Sequence, residues 1–365
     1  MRRARSRRAA RVLGGGLSGV SAAVSLAHFG WQVELCAAPR LAGHPISLNG
    51  AARYLLERMW GPEWLAGIPH HRLERRLIAW RDRSPIQIED TTLVVDVSGL
   101  SERMAAQAMA SGVAAKGVPG DEPAAWTIVA TGRDAEDRTV LLGGQRLALM
   151  APVALSPEAD SRALSIEAAK HGWVALVPTS SNSGALFAFG LQGSAGHDEV
   201  LHGLLAETET LRRAVAALTG PVAVFRAAPR LRTPPWRDAA TVFAGDAALT
   251  FDPLSGDGAA VALRTAHLAA SMAEAWARGA ELEDLRAFYS YRLARAMAAH
   301  LRGLLTLYAQ APFAAAWGNE IAAMRAMANE IEASVADAGH VPMFAIAEAG
   351  LRPLDTPLGP ERRRH

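Results

Sequence analysis

Apolar positions change their period several times along the chain, and each change marks an element. Ala9–Leu13 is a short apolar run that predicts a buried strand, and 17–29 is an apolar, alanine-rich stretch of helical length. Gly30 ends that helix and 31–36 predicts a second strand. The result is a strand–turn–helix–strand unit of about thirty residues, the size of a βαβ crossover. Further on, 51–60 reads as a helix stopped by Gly61 and Pro62, 73–80 and 86–97 as strands, and 100–110 as a helix. A four-residue strand at 127–130 runs into Thr131 and Gly132. The middle is strand-rich, with candidates at 146–155, 163–166, 172–177 and 184–189. A helix is expected over 199–218, then strands near 222–225 and 241–244. From 258 to about 350 the alanine, leucine, arginine and glutamate content predicts mostly helix. The pattern is that of an α/β fold carrying an α+β insert.

Composition narrows the class. Half of the 365 residues are apolar and 20% are charged, a globular balance that excludes wholesale disorder. The 32 glycines have no G-X-Y period, which excludes collagen. A single cysteine, Cys36, excludes an internal disulfide framework and a thiolate-rich metal site. Lys116 and Lys170 are the only lysines, and the formal charge is +2 against 36 acids, so no nucleic-acid partner is expected. Arg2, Arg3, Arg5, Arg7, Arg8 and Arg11 precede the apolar stretch 12–31, which superficially resembles a secretory leader. Gly14, Gly15, Gly16, Gly19 and Gly30 make it a poor membrane helix, His28 interrupts it, and no A-x-A cleavage pattern follows. The arginines read as a solvated terminus. A cytoplasmic location and no integral membrane segment are expected.

Gly14-Gly15-Gly16-Leu17-Ser18-Gly19 fits G-x-G-x-x-G, with a strand before it and a helix and second strand after it. Gly14 allows the tight turn, Gly16 lets backbone amides approach a pyrophosphate, and Gly19 lets helix pack on strand. The helix N-terminus then faces the phosphates with its partial positive charge. The acid that usually grips the ribose should follow about twenty residues on. The count reaches Ala37, and Glu34 falls three residues early on the strand. Adenosine is left to the backbone and Arg40.

Two further segments extend the pattern: Val129-Ala130-Thr131-Gly132, and Phe243-Ala244-Gly245-Asp246 followed by Asp252-Pro253-Leu254-Ser255-Gly256-Asp257-Gly258-Ala259. In order and spacing, across nearly the whole chain, these resemble the FAD-dependent oxidoreductases of the para-hydroxybenzoate-hydroxylase type. That group includes aromatic hydroxylases, tryptophan halogenases and geranylgeranyl reductases. The resemblance implies that Asp246 binds the ribitol of FAD and that the loop from Pro253 to Gly258 passes the flavin's pyrimidine edge. It also implies that the helix opening at Gly258 and Ala259 aims amides at flavin N1 and O2. The expected cofactor set is Gly14, Gly16, Ser18, Gly19, Arg40, Gly132, Gly245, Asp246, Pro253, Gly256, Gly258 and Ala259.

Departures from the pattern narrow the branch. Phenol hydroxylases usually carry D-G where Thr131-Gly132 stands and an asparagine where Ala260 stands, and Val97 replaces a common arginine. Halogenases carry W-x-W-x-I-P and a catalytic lysine. Here Trp173, Ala175 and Pro178 leave the second tryptophan missing, and neither lysine falls in the right region. The D-P-L-S-G-D-G version and the G-H-P-I-S segment at 43–47 look most like flavoproteins that mature tryptophylquinone cofactors by hydroxylating a partner protein's tryptophan. The expectation is a monooxygenase acting through a flavin hydroperoxide on a small aromatic substrate or on a partner protein bearing the target residue. The alternatives are a reductase of the geranylgeranyl-reductase type and a flavin-free maturation partner that kept the fold. Without a second G-x-G-x-x-G, NAD(P)H as reductant must bind transiently.

The expected organisation is a Rossmann-like FAD-binding domain from 1–66, 98–138 and 240–280, interleaved with a strand-rich substrate domain from 67–97 and 139–239. A helical region covers 281–365. No general base stands out, and His44 is the one catalytic candidate, from its place after the second strand. His70 and His71 among Arg72, Arg75, Arg76, Arg81 and Arg83 read as a solvated face, as do Arg226, Arg230, Arg232 and Arg237. No H-E-x-x-H spacing points to a metal and no G-x-S-x-G elbow to a serine hydrolase. The tryptophans at 60, 64, 80 and 173 read as core or pocket walls.

Overall fold

Parallel pairing frames the first sheet. Ala9–Leu13 lies between Gln32–Cys36 and Trp126–Val129 and runs parallel to both. Across this sheet the order is Trp236–Asp238, Thr241–Phe243, Trp126–Val129, Ala9–Leu13, Gln32–Cys36 and Ala114–Lys116. Strands covered on both faces need apolar residues at successive positions, and Val12, Ile128 and Val242 are all buried. The structure is a computed structural model that describes residues 8–37, 45–80, 85–120, 124–134, 140–191, 196–339, 341, 343–347 and 350–354.

Eight α-helices lie among the described residues: α1 (Leu17–His28), α2 (Gly50–Trp60), α3 (Val97–Ala110), α4 (His197–Glu207), α5 (Leu211–Ala214), α6 (Gly258–Ala277), α7 (Leu282–Tyr308) and α8 (Gly318–Asp337). α1 and α6 pack closely because the facing residues are small: Ala22, Ala23, Ala266, Ala269 and Ala270 are buried. α3 also packs on α1. This arrangement gives the expected α/β fold, with a Rossmann-like sheet that is parallel except for its antiparallel edge strand Trp236–Asp238.

The second sheet holds most of the remaining strands, in the order Val215–Leu218, Leu147–Leu155, Ser183–Gly190, Trp173–Pro178, Ala163–Ala168, His70–Ala79, Ile86–Val95 and Ile46–Leu48. Alternation divides its faces. Leu149, Ala151, Val153, Val174, Leu176, Leu186 and Ala188 form one core with α4 and α5. Ala148, Ile166, Trp173, Ala175 and Phe189 join the main core instead. A small sheet of Leu249–Thr250, Arg230–Arg232 and Val140–Leu142 ties the two large ones together.

Two sequence expectations fail. The helix over 199–218 stops at Glu207, resumes for one turn as α5, and becomes the strand Val215–Leu218. The Glu167 carboxylate accepts the amides of Glu209, Thr210 and Leu211, so the break is satisfied by a side chain from the sheet. Val215–Leu218 then pairs with Leu147–Leu155. Helix was also expected to about 350, yet α8 ends at Asp337 and Phe344–Ala347 pairs with Gly350–Pro353 as antiparallel strands. Phe344 and Leu351 are buried there, and that anchoring outweighs local preference. No described helix is long and apolar enough to cross a membrane.

Candidate cofactor site

Three segments far apart in sequence end side by side. The first is the turn between Ala9–Leu13 and α1. Gly14 has φ +113°, and a Cβ there would lie 2.3 Å from the Ala130 carbonyl oxygen. A Cβ at Gly19 would come within 1.8 Å of the Gly14 oxygen, so the helix sits directly on the turn. Gly16 is the N-cap of α1, without a side-chain cap, and no acid lies in the first turn. Ser18, in that turn, is buried, and its Oγ has no hydrogen-bond partner among the described residues.

The strand Trp126–Val129 supplies the second segment. Gly132 has φ +83° with open space beside it, and Arg133 Nε donates to Asp246 Oδ2 at 3.2 Å. The third follows Thr241–Phe243. A Cβ at Gly245 would lie 2.6 Å from Ser18 Cβ, so the Gly-Asp pair rests on the first turn of α1. Thr265 Oγ1 accepts the Gly245 amide at 2.8 Å, and the Tyr289 hydroxyl donates to the Phe243 carbonyl at 2.7 Å. Gly245 and Ala247 are buried while the Asp246 side chain keeps 41% exposure, so its carboxylate faces outward.

Pro253 and Gly256 lie on the loop that leads from Asp252 into α6, and Gly258 and Ala259 open that helix. Asp252 is fully buried, and its Oδ1 accepts the Leu254 amide at 2.9 Å. Arg146 and the Tyr308 hydroxyl both donate to its carboxylate. Burial opposes the Arg146 charge, but Asp252, Tyr308 and Glu320 outweigh it and raise the pKa. Burial, reinforced by Asp252, pushes the Tyr308 hydroxyl well above its ordinary value. The Asp252 amide donates to His300 Nε2 at 2.8 Å, which fixes that nitrogen as an acceptor. Asn49 connects the loop to α2. Its Oδ1 caps Ala52 N, while Nδ2 donates to the Gly256 carbonyl at 3.1 Å and to Asp257 Oδ1 at 3.0 Å. Arg76 reaches in from the second sheet, with Nη1 3.4 Å from where a Gly256 Cβ would stand. Asn49, Arg76, Arg146, His300 and Tyr308 were not picked out as site residues from the sequence; no short motif contains them.

This arrangement fits a dinucleotide. Among described helices of eight or more residues, only α1 and α6 lack both a side-chain cap and an acid in the first turn. Both therefore present uncapped amides at the positive end of a helix dipole, with the Asp257 carboxylate at the N-cap of α6 engaged by Asn49. The orphaned Ser18 hydroxyl supplies a donor beside the α1 turn, where a phosphate oxygen would accept.

The adenosine end is less furnished. Ala37 stands beside the turn, its Cβ 2.7 Å from where a Gly15 Cβ would lie. Glu34 does not substitute for the missing acid: it accepts the Gly120 amide at 2.7 Å and pairs with Arg11 and Lys116. Burial would raise its pKa, but these partners hold it below the usual carboxylate range. Arg40 and His44 lie outside the described residues.

The two arginine runs are not uniform solvated faces. Arg75 pairs with Asp160, and Arg76 with Asp90, while Arg81 and Arg83 lie outside the described residues. Arg230 and Arg232 are buried, 6% and 4% exposed. Arg232 Nε donates to the Ala247 carbonyl at 2.9 Å and its guanidinium stacks on Phe243, 4.0 Å from the ring centre. These two fold under the Gly-Asp segment because their strand is internal to the small sheet. Beside it lies a recess of about 350 Å³, lined by Arg133, Gln145, Arg146, Arg226, Arg230 and Thr250 among others, with no acid among the described residues of its lining.

No family model matches the sequence, and no curated protein matches it. Solved structures do share the fold. The peptidyl tryptophan dihydroxylase QhpG, essential for tryptophylquinone cofactor biogenesis, superposes with a TM-score of 0.70 at 20% identity over 83% of this chain and 75% of that one. The flavin-dependent brominase Bmp2 gives 0.70 at 15% identity, over 89% and 98%. Klebsiella pneumoniae HpxO, as a point variant complexed with FAD, gives 0.66 at 14%, over 89% and 98%. At these identities the likeness is one of fold.

Proposed function

We propose that this chain is an FAD-dependent oxidoreductase that inserts oxygen into an aromatic substrate. The observation that carries the reading is the close packing of the Gly14–Gly19 turn on Ala130 and of Gly245 on Ser18, with α1 and α6 both uncapped and the Asp246 side chain 41% exposed. The shared fold of flavin-dependent enzymes supports it. In this reading 1–66, 98–138 and 240–280 form the cofactor-binding part, 67–97 and 139–239 the substrate part, and 281–365 a C-terminal support.

Gly14, Gly16, Ser18 and Gly19 would hold the diphosphate through backbone amides and the Ser18 hydroxyl. Gly132 leaves open space where a side chain would stand, and Gly245 lets the Gly-Asp pair rest on Ser18. Asp246 would accept from ribitol hydroxyls once Arg133 yields its hold. The loop through Pro253 and Gly256 would lie along the pyrimidine edge, with the Gly258 and Ala259 amides steadying negative charge at N1 and O2. Arg40 is proposed to serve the adenosine. FAD, when bound, supplies the redox chemistry: it takes two electrons from a reductant and passes them to dioxygen. The protein positions the ring, excludes water and places charge. Arg76, paired with Asp90, reaches Gly256 from the sheet side of the loop. The recess beside Arg133, where Arg226 is exposed, is proposed to take the phosphates of NAD(P)H as a transient reductant. The substrate is a small aromatic molecule or a tryptophan side chain on a partner protein. The shared fold with a peptidyl tryptophan dihydroxylase favours including the second.

The test is a panel of phenols, indoles and tryptophan-containing peptides offered to FAD-reconstituted protein with NADH or NADPH in air. Substrate-stimulated oxygen uptake, with a product heavier by oxygen, is the expected outcome. A product that gains hydrogen without consuming oxygen would replace this reading with a reductase.

A further inference from the structure

A groove on the flank of α6 shares no residue with the proposed cofactor set. It encloses about 830 Å³ between α1, α2, α6 and α7 and is bordered by Ile346. Its floor is apolar: Leu249, Val261, Leu268 and Leu293 are buried. Its rim is basic, with Arg58, Arg264 and Arg292 all exposed. These come from three separate helices, and among the described residues no aspartate or glutamate lines the groove. On α6 the spacing of Val261, Arg264 and Leu268 places floor and rim on one helical face.

Some arginines elsewhere on the surface have carboxylate partners, as in Arg75–Asp160, Arg162–Glu74 and Arg302–Glu332. Among the described residues Arg58, Arg264 and Arg292 have none. Like charges around an apolar recess repel one another, and no described residue lining the groove carries the opposite charge. His267, facing the same space, has its pKa lowered by burial and adds no acid partner.

We propose that this groove binds a free single-chain anionic amphiphile, with a carboxylate or phosphate head among the three arginines and its tail on the apolar floor. Guanidinium groups match both heads through paired N–H donors. The volume falls within the range of small-molecule sites, roughly 300–1,000 Å³. The recessed floor favours a free molecule over a bilayer surface, because only Tyr54 and Ile346 project as large apolar side chains, at 62% and 51% exposure.

Calorimetric titration of the full chain with dodecanoate, dodecyl phosphate, dodecanol and acetate, below micelle formation, tests this. Both long-chain anions should bind saturably, dodecanol about tenfold or more weaker, and acetate not at all. Arg264→Ala and the Arg58→Ala/Arg292→Ala pair should each weaken anion binding by about tenfold, and Arg264→Lys should keep most of it. Melting temperatures equal to the parent's show that these exposed substitutions leave the fold intact. Dodecanol binding as tightly as dodecanoate, arginine variants with unchanged affinity, or no saturation by either anion would overturn the proposal. So would binding confined to phosphatidylcholine–phosphatidylglycerol vesicles, or a groove closed by a second copy of the chain in sedimentation.

Discussion

Arg146 and Asp252 form an ion pair removed from water, their side chains retaining 1% and 0% of their exposure. The pair joins the start of the Leu147–Leu155 strand to the loop that opens α6. Glu320 of α8 and Tyr308 of α7 complete the cluster, with Arg146 Nη1 3.0 Å from Glu320 Oε2. The C-terminal helices are thereby wired to the loop proposed to face the flavin, a link between packing and function that runs entirely through buried polar groups.

Removing one member leaves the others charged and unpaired. Arg146→Met should cost about 3–5 kcal/mol in urea unfolding, the range for breaking a buried pair. Arg146→Met combined with Asp252→Asn should recover part of the loss, since one stranded charge is gone.

His300 gives the same loop a pH dependence. Burial, with a smaller push from Arg146, lowers its pKa from 6.5 to about 4 against the opposing pull of Asp252 and Asp257. The unfolded chain therefore binds a proton between those values that the folded chain does not. Its contribution is fully present above pH about 6.5 and is lost as pH falls through about 4, amounting to about 3 kcal/mol by linkage. His300→Gln keeps an acceptor for the Asp252 amide but cannot titrate. Its unfolding free energy should change less over that window than the parent's, and equal slopes would contradict the assignment.

Glycine positions separate folding from binding. Gly19→Ala drives a methyl into the Gly14 carbonyl and should destabilise the fold by about 1–3 kcal/mol. Gly258→Ala meets no protein atom within 4 Å, so its melting temperature should equal or slightly exceed the parent's. FAD affinity should nonetheless drop about tenfold, because the methyl lies where the ring would approach the amides.

The parts legible in the sequence were those held by local chemistry. The turn at Gly14–Gly19 and the Gly245-Asp246 pair need particular residues at fixed spacing, so their pattern survives as a string. The Asp252 cluster does not, because Arg146, His300, Tyr308 and Glu320 meet only through tertiary packing. Arg230 and Arg232 looked like surface charge for the same reason: nothing in sequence reveals that their strand lies inside a sheet. The interruption of the helix expected over 199–218 was hidden for the same reason, since the break after Glu207 is stabilised by Glu167 from a distant strand.

Ala37 allows a gain-of-function test. Ala37→Glu restores an acid beside the first turn, where it can accept from ribose hydroxyls. FAD binding should tighten by about tenfold, the scale of one charge-assisted hydrogen bond. Unchanged affinity would place the adenosine elsewhere.

The central claim is that Asp246 and the two uncapped helix ends hold a flavin. The most direct measurement is the visible absorption spectrum of the purified chain before and after FAD is added and excess removed, beside Asp246→Ala. A flavin band retained by the parent and lost by the folded variant is the predicted result. No retained flavin in the parent after reconstitution would contradict the account and leave the fold as that of a flavin-free protein.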